Sequence, residues 1–301
     1  MAKEKYLREE FTGYMIKLML ENRISINLIG DKGTGKTRLL EDICSSGLTG
    51  VKIVRVDLKA YENTYSGLLR EMHSQLGLKG EIPPKLGEIF AGFENHQDKY
   101  LILMDNYDAL LDNPQVDQGY DVGFFDDLNY IKNKKNIALL CATSRPHNAL
   151  PVFIAGKSFR NSWLDLQKEN LPPLDRSQIE KELDRRLADP VRRRFKDQPH
   201  EHDLLVAAIH KKPYPYARLC FLVKKMNNQG AEGQPIKFKK RLKKWLNEKE
   251  KLERRGIDKQ GHRLKQWRET KRIAFGLKEP KIPIISKLIN RLLNWLLGGG
   301  K

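Results

Sequence analysis

Eight residues, Gly30-Asp31-Lys32-Gly33-Thr34-Gly35-Lys36-Thr37, fit the pattern G-x-x-x-x-G-K-[ST] at every position. Such a glycine-rich run takes a defined shape only if its neighbours hold it, and here both flanks are strongly patterned. Residues 24–29 (ISINLI) place β-branched residues between polar ones and read as a strand that stops at Gly30. From Lys36 onward Leu39, Leu40 and Ile43 recur at helical steps up to Ser46. A strand, a glycine turn and a helix in that order suit one kind of ligand. The glycines let successive N–H groups point inward as an anion nest, and the helix adds its positive end. Lys36 has the reach for the β- and γ-phosphates of a nucleotide, and the Thr37 hydroxyl suits Mg²⁺. Gly30 to Thr37, with Arg38 beside them, form the expected nucleotide-binding set.

Further strands are expected at 51–57 (VKIVRVD), 100–104 (YLILM) and 137–143 (IALLCAT), with a last short one at 163–166. Helical patterns cover 64–77, 85–97 and 122–133, the first two separated by Pro83-Pro84. Strands alternating with helices predict a doubly wound, mostly parallel α/β sheet. Leu171-Pro172-Pro173-Leu174-Asp175 ends that alternation, and the patterns at 177–187, 201–210 and 216–227 are all helical. Asn228–Pro235 (NNQGAEGQP) reads as a linker. The expected organisation is a nucleotide-binding core over 1–170, a small helical domain over 171–232 and a basic tail over 233–301.

Asp105 directly follows the apolar run 100–104, where a carboxylate at a buried strand end is placed to hold Mg²⁺. Many nucleotide hydrolases carry a glutamate immediately after that aspartate to polarise the attacking water. Here Asn106 stands there, and an amide cannot accept a proton. Either Asp108 or another carboxylate brought in by folding orients the water, or hydrolysis is slow and bound ATP is a long-lived switch. The next strand end, Cys141-Ala142-Thr143-Ser144-Arg145-Pro146, offers hydroxyls and an arginine to the γ-phosphate or the water, or else closes the sheet as a polar loop.

This order of phosphate loop, strand-end Asp105, polar strand end at 143–145 and helical region resembles AAA+ and related STAND ATPases. The stretch 163–187 (WLDLQKENLPPLDRSQIEKELDRRL) is similar to the junction that leads into their helical lid. Residues 210–222 (HKKPYPYARLCFL) look like the proline-containing lid helix of archaeal-type, initiator and transposition-regulator ATPases. The resemblance spans about residues 10–227. It implies a P-loop nucleoside triphosphatase fold with a lid, ATP and Mg²⁺ as cofactors, Lys36 and Thr37 on phosphate and metal, and Asp105 on metal. It also implies Thr143 or Ser144 at the sensor-1 position, Arg218 near sensor 2, Arg160 (with Arg145 or Arg176 as alternatives) as a finger acting in trans, and ATP-dependent assembly of identical chains.

The net charge is +18, and its distribution is uneven. Residues 237–278 hold 17 Lys and Arg against 5 acidic residues, 279–301 hold 4 against 1, and the remainder is nearly neutral. A neutral body with a cationic extension suggests a polyanion, so nucleic acid, DNA without sequence reading, is the expected partner of 237–278. Phe238, Leu242, Trp245, Leu246 and Leu252 recur at helical spacing there, and Trp245, Trp267 and Phe275 either pack on the body or stack on bases. Residues 284–297 (IISKLINRLLNWLL) are amphipathic and, at fourteen residues, too short to span a bilayer. They dock on their own domain, fill a protein partner's groove or lie on an anionic membrane surface. A signalling adaptor that exposes this last helix is therefore the competing class, and a small-molecule kinase leaves the basic extension without a purpose. Cys44, Cys141 and Cys220 form no paired framework, and His200, His202 and His210 lack companions for a metal site. With no leader-like or membrane-spanning run, a cytoplasmic location is expected.

Overall fold

The two most apolar strand runs decide where the sheet lies. β3 (Lys99–Asp105) is buried at every residue after the first, and β4 (Ile137–Thr143) at every residue. Parallel strands covered on both faces have this burial. The structure, a computed structural model, describes residues 6–93, 97–160, 162–210, 214–229 and 238–254. Its main sheet has five parallel strands in the order β2 (Val51–Asp57), β3, β4, β1 (Ile26–Ile29), β7 (Gln167–Asn170).

Alternate side chains of β3 go to opposite faces, as the two-residue period of a strand requires. Leu101 and Leu103 join Leu28 and Leu140 beneath α1 (Glu9–Leu20) and α2 (Lys36–Cys44), which bury Met15, Met19, Leu39, Leu40 and Ile43. Ile102 and Met104 join Val54, Val56 and Leu139 on the other face. There α3 (Tyr65–Gln75), α4 (Leu86–Ile89) and α5 (Val122–Lys132) supply Leu68, Met72, Phe90, Phe124 and Leu128. Each of these fully buried side chains is worth about 1.5–3 kcal/mol over an exposed one. The fold is the doubly wound α/β arrangement that the alternation of strands and helices predicts.

Four local differences have physical reasons. α1 was not expected, although Thr12, Met15 and Met19 lie three and four residues apart and are buried. The helix expected over 85–97 is one turn, α4, and Gly92 beyond it takes a positive φ of 81°. The expected strand at 163–166 only anchors the chain. Leu164 and Leu166 are buried in the core, while the ladder to β1 is made by the polar residues of β7, in register from Ile26 opposite Gln167 to Ile29 opposite Asn170. β5 (Val152–Ile154) and β6 (Lys157–Phe159) form an unexpected hairpin across Ala155 and Gly156, both at positive φ as a two-residue hairpin turn demands.

After the proline-rich stretch, Asp175 caps α6 (Arg176–Arg186). Its side chain accepts from the N–H of Gln178 at 2.7 Å, and the Gln178 side chain accepts from the Asp175 N–H in return. α7 (Asp189–Asp197), α8 (Pro199–His210), α9 (Pro215–Gln229) and α10 (residues 238–254) follow. Ile179, Leu183, Leu205, Ile209, Leu219 and Leu222 form their core, and Phe238, Leu242 and Trp245 of α10 are buried in it. Trp245 thus packs on the body. Residues 1–249 form one compact unit; of the second, 250–301, only 250–254 are described, and they are helical. Trp267, Phe275 and the expected amphipathic helix at 284–297 lie outside the described residues. Among the described residues no helix is long and apolar enough to cross a membrane.

Candidate nucleotide-binding site

Because every strand of the main sheet runs the same way, Ile29, Asp57, Asp105 and Thr143 all end at one edge, where open α/β sheets bind their ligands. β4 separates β1 from β3, so Thr143 lies opposite Ile29 and its carbonyl receives the Gly30 N–H at 3.1 Å. The loop that follows is shaped by Gly33 and Gly35, at φ 80° and 104°. A Cβ on Gly33 would also meet the Cβ of Ala217 at 2.8 Å, so this position needs glycine for space as well as for conformation. Gly35 occupies the N-cap of α2 and gives its first N–H groups no side-chain partner, which leaves that turn open to an anion.

Lys36 folds back over the loop. Its Nζ donates to the carbonyls of Gly30 at 2.6 Å and Asp31 at 3.3 Å. Burial lowers the pKa of this ammonium, and the carboxylates of Asp108, Asp105 and Asp31 oppose that shift. Asp105 is buried. Desolvation raises its pKa, against a hydrogen bond from Thr37, the N–H of Asn106 at 3.0 Å and the charge of Arg55, whose Nη2 lies 3.8 Å away. Thr37 and Asp105, met only at this edge, are the hydroxyl and carboxylate that would hold Mg²⁺. One carboxylate and one hydroxyl suit an ion that keeps several waters and takes its other ligands from phosphate, and its chemistry would be to neutralise phosphate charge. No group of three or more His, Cys, Asp or Glu that could hold a metal occurs among the described residues.

Asp108 stands in the short turn after β3, and its Oδ2 accepts from both Ser144 N–H (3.1 Å) and Ser144 Oγ (2.5 Å). These two expected site residues are therefore neighbours. Thr143 is fully buried and its Oγ1 accepts from Asn27 Nδ2 at 2.8 Å. Asn27 in turn receives the His147 N–H at 3.0 Å, and His147 meets Ser162 at 3.1 Å, a polar chain running beneath the loop. Arg218 is buried on α9, whose first turn rests on the loop: Ala217 N–H donates to Gly33 O at 3.0 Å. Arg160 is exposed at the end of β6, as is Arg145, while Arg176 pairs with Glu180 and Asp203. The loop residues Asp31 and Lys32 are exposed.

Arg38 turns away from the loop into a buried ion pair with Asp42 and with Glu182 of α6. Glu182 also takes hydrogen bonds from Arg185 (2.8 Å) and Arg186 (2.5 Å). Burial opposes its charge, but these arginines outweigh that and bring its carboxyl to about 2. Arg186 continues to the Tyr216 hydroxyl at 2.5 Å, and the Tyr216 ring is what a Cβ on Gly35 would meet. From the other side Arg8, buried and lowered to about 10 by that burial, donates to Thr34 O at 2.9 Å and Pro172 O at 3.0 Å. Arg8, Glu182, Tyr216 and Asp57 were not expected at the site. The sequence signals were slight: a charge at a buried helical position for Glu182 and, for Asp57, a strand that ends in a carboxylate.

Residues 26–163 match the family model described as ATPase family associated with various cellular activities (AAA). No curated protein matches the chain. Among solved structures, a chain in the structure of Drosophila ORC bound to DNA is similar at 14% identity and a TM-score of 0.48, over 73% of this chain and 60% of that one. A chain in Drosophila ORC bound to AT-rich DNA and Cdc6 is similar at 18% identity and a TM-score of 0.35, over 48% of this chain and 49% of that one. This chain thus spans about three fifths of the length of the first and half of the second. With a parallel five-stranded sheet, a complete phosphate loop at the end of β1 and Asp105 at the end of β3, residues 26–163 are an AAA+-type P-loop ATPase domain.

Proposed function

We propose that this chain is an ATP-binding, slowly hydrolysing AAA+ switch that assembles with further copies on or near nucleic acid through its basic C-terminal segment. The observation that carries the reading is the double boundary of the phosphate loop. On one side lie Thr37 and Asp105 of the sheet edge; on the other lie Arg8 and the first turn of α9. A nucleotide seated there displaces the Gly30 and Asp31 carbonyls from Lys36 and lies against residues of the helical region. Its presence therefore biases how 171–232 sit on the core. Arg218 comes from the same helix, and Thr143 and Ser144 from the strand beside the loop. Arg160 is left to a neighbouring copy.

The nucleic-acid part rests on α10. Phe238, Leu242 and Trp245 are buried, so Lys239, Lys240, Lys243 and Lys244 are turned to solvent in a row. Such a row gives phosphate contacts whose strength falls steeply with salt.

The test is particle size and DNA affinity measured together with Mg-ATP, with ADP and for Lys36→Ala. Expected are larger particles and tighter DNA binding with ATP, neither of them in Lys36→Ala, and a salt slope that becomes shallower when the four lysines become glutamine. Substitution is preferable to deletion, since deleting 237–278 would strip three buried residues from the helical core. Failure of the wild-type chain to take up labelled ATP with magnesium defeats the reading. Binding to anionic vesicles without DNA affinity would favour the adaptor class.

A further inference from the structure

A water that attacks the γ-phosphate needs an acceptor to aim it, and Asn106, the residue after Asp105, is turned away from that task. Its N–H closes on Asp105 Oδ1 at 3.0 Å, and its side-chain amide reaches across to Asp57 on β2 at 2.8 Å. In the order β2-β3-β4-β1, β2 is the strand remote from the phosphate loop. An acceptor near the γ-phosphate belongs instead between β3 and β1, where β4 ends.

One carboxylate is fixed in that place. Asp108 sits in the turn Tyr107–Ala109, which buried Tyr107 and Leu110 hold against the core. Its Oδ2 accepts from the Ser144 N–H at 3.1 Å and from Ser144 Oγ at 2.5 Å. Thr143, the residue before Ser144, accepts the Gly30 N–H on its carbonyl, and the Gly30 carbonyl accepts from Lys36 Nζ at 2.6 Å. A short run of hydrogen bonds therefore leads from Asp108 to the lysine that would meet the terminal phosphates. Among the carboxylates whose charge acts on the Lys36 ammonium, Asp108 is the strongest, ahead of Asp105 and Asp31. The other two are less suited. Asp105 already accepts from Thr37 and the Asn106 N–H, and Asp31 is exposed. Both hydrogen bonds of Asp108 among the described residues fall on Oδ2, so this half-buried side chain can offer Oδ1 to a water without releasing its anchor.

We propose that Asp108 is the catalytic residue that orients the attacking water through Oδ1, and that Ser144 is its positioning residue, holding Oδ2 with two donors. In the step, the water oxygen bonds to the γ-phosphorus as the bond from that phosphorus to the bridging oxygen breaks. The electron pair of the broken bond leaves on ADP. One water proton stays on the new P–OH group and the other passes to a second oxygen of the departing phosphate. Asp108 accepts a hydrogen bond from the water and so keeps it in line with the breaking bond. This rests on the ATP reading above.

The experiment is single-turnover hydrolysis with the full chain in excess over Mg-ATP, alongside ATP affinity and the melting temperature of each variant. Asp108→Asn keeps the side chain's size and one oxygen for the Ser144 donors, which turns its NH₂, a donor, towards the water. It should bind Mg-ATP as the wild type does, yet hydrolyse about a hundredfold more slowly, as a misplaced reactant does. Ser144→Ala, which leaves the carboxylate in place and tests the same point should Asp108→Asn melt early, should slow hydrolysis about tenfold, and Ser144→Thr should recover most of that. Added to Asp108→Asn, Ser144→Ala should cost less than about threefold more, because it acts through the carboxylate. A loss of less than about tenfold in Asp108→Asn overturns the proposal. So does a further loss above about threefold in the double variant, which would set Ser144 on the phosphate itself. A wild-type chain that binds Mg-ATP and leaves it intact over a day overturns the proposal and leaves the switch reading standing. A wild-type chain that binds no ATP overturns both together.

Discussion

The sheet and its junction with the helical region are held by opposite means. Inside the sheet, β3 and β4 lie between two layers of apolar side chains, and fully buried Leu101, Ile102, Leu139 and Leu140 need no partner beyond close contact. At the junction the groups that meet are charged: buried Arg38 and Asp42 of α2 and Glu182 of α6, with half-buried Arg186 of α6 and Tyr216 of α9 closing the series. Apolar packing tolerates small shifts and has no alternative partner to exchange. A buried ionic network gains little net stability, since desolvation offsets most of its attraction, but it is severe about geometry. The α/β core is built to stay and the junction to hold one arrangement that can be broken.

The largest expected effect breaks the junction. Glu182→Ala leaves three arginines facing one another, at a cost of about 3–5 kcal/mol. The check is limited proteolysis. Cleavage within 171–175 should rise sharply while amide exchange in β3 and β4 stays slow. Leu140→Ala, at about 2–5 kcal/mol, should do the reverse, lowering the stability of the sheet as a whole without selective cleavage at the junction. If both variants gave the same cleavage pattern, the two regions would not be distinct in the way described.

Acid should reach them in sequence, with a smaller effect at any single pH. Burial holds the imidazole of His147 at about 4 rather than 6.5, so the fold keeps it neutral. Its contribution is complete above about 6.5 and is lost as pH falls towards 4. Glu182 sits near 2 against 4.5 for an ordinary glutamate, so its contribution is complete above about 4.5 and is lost towards pH 2. Urea midpoints measured from pH 7 to 3 should fall first in the histidine window, and His147→Gln should flatten that part of the curve. The smallest effect is Tyr216→Phe, which removes the acceptor of the Arg186 hydrogen bond, at about 1–3 kcal/mol. It should be visible as a modest rise in cleavage at 171–175.

How much of this was legible in the sequence follows from the range of each interaction. The phosphate loop and Asp105 announce themselves because their chemistry is local, a glycine pattern between a strand and a helix and a carboxylate at the end of an apolar run. β7 does not, since Gln167–Asn170 is polar and becomes a strand only because β1 offers it an edge; the apolar alternation at 163–166 drew the expectation one step too early. The hairpin of β5 and β6 is three residues a side and turns on an alanine at positive φ. The Glu182 network joins positions 144 residues apart, and no spacing rule connects Arg38 to it. Asp57 was read as the end of a strand; its place beside Asp105 is a property of sheet order, which the alternation of elements does not specify. The basic segment was half legible. Its apolar spacing predicted a buried face on α10, and Phe238, Leu242 and Trp245 occupy it.

α9 runs from the phosphate loop to α10. Ala217 of its first turn donates to Gly33, and Lys225, eight residues on, meets Glu248 of α10 at 2.8 Å. At 1.5 Å per residue those points are about 12 Å apart along the helix. Along it Leu219, Leu222 and Met226 of α9 share one apolar core with Phe238, Leu242 and Trp245 of α10. A single helix thus spans the distance from the glycine turn to the helix that bears the lysines.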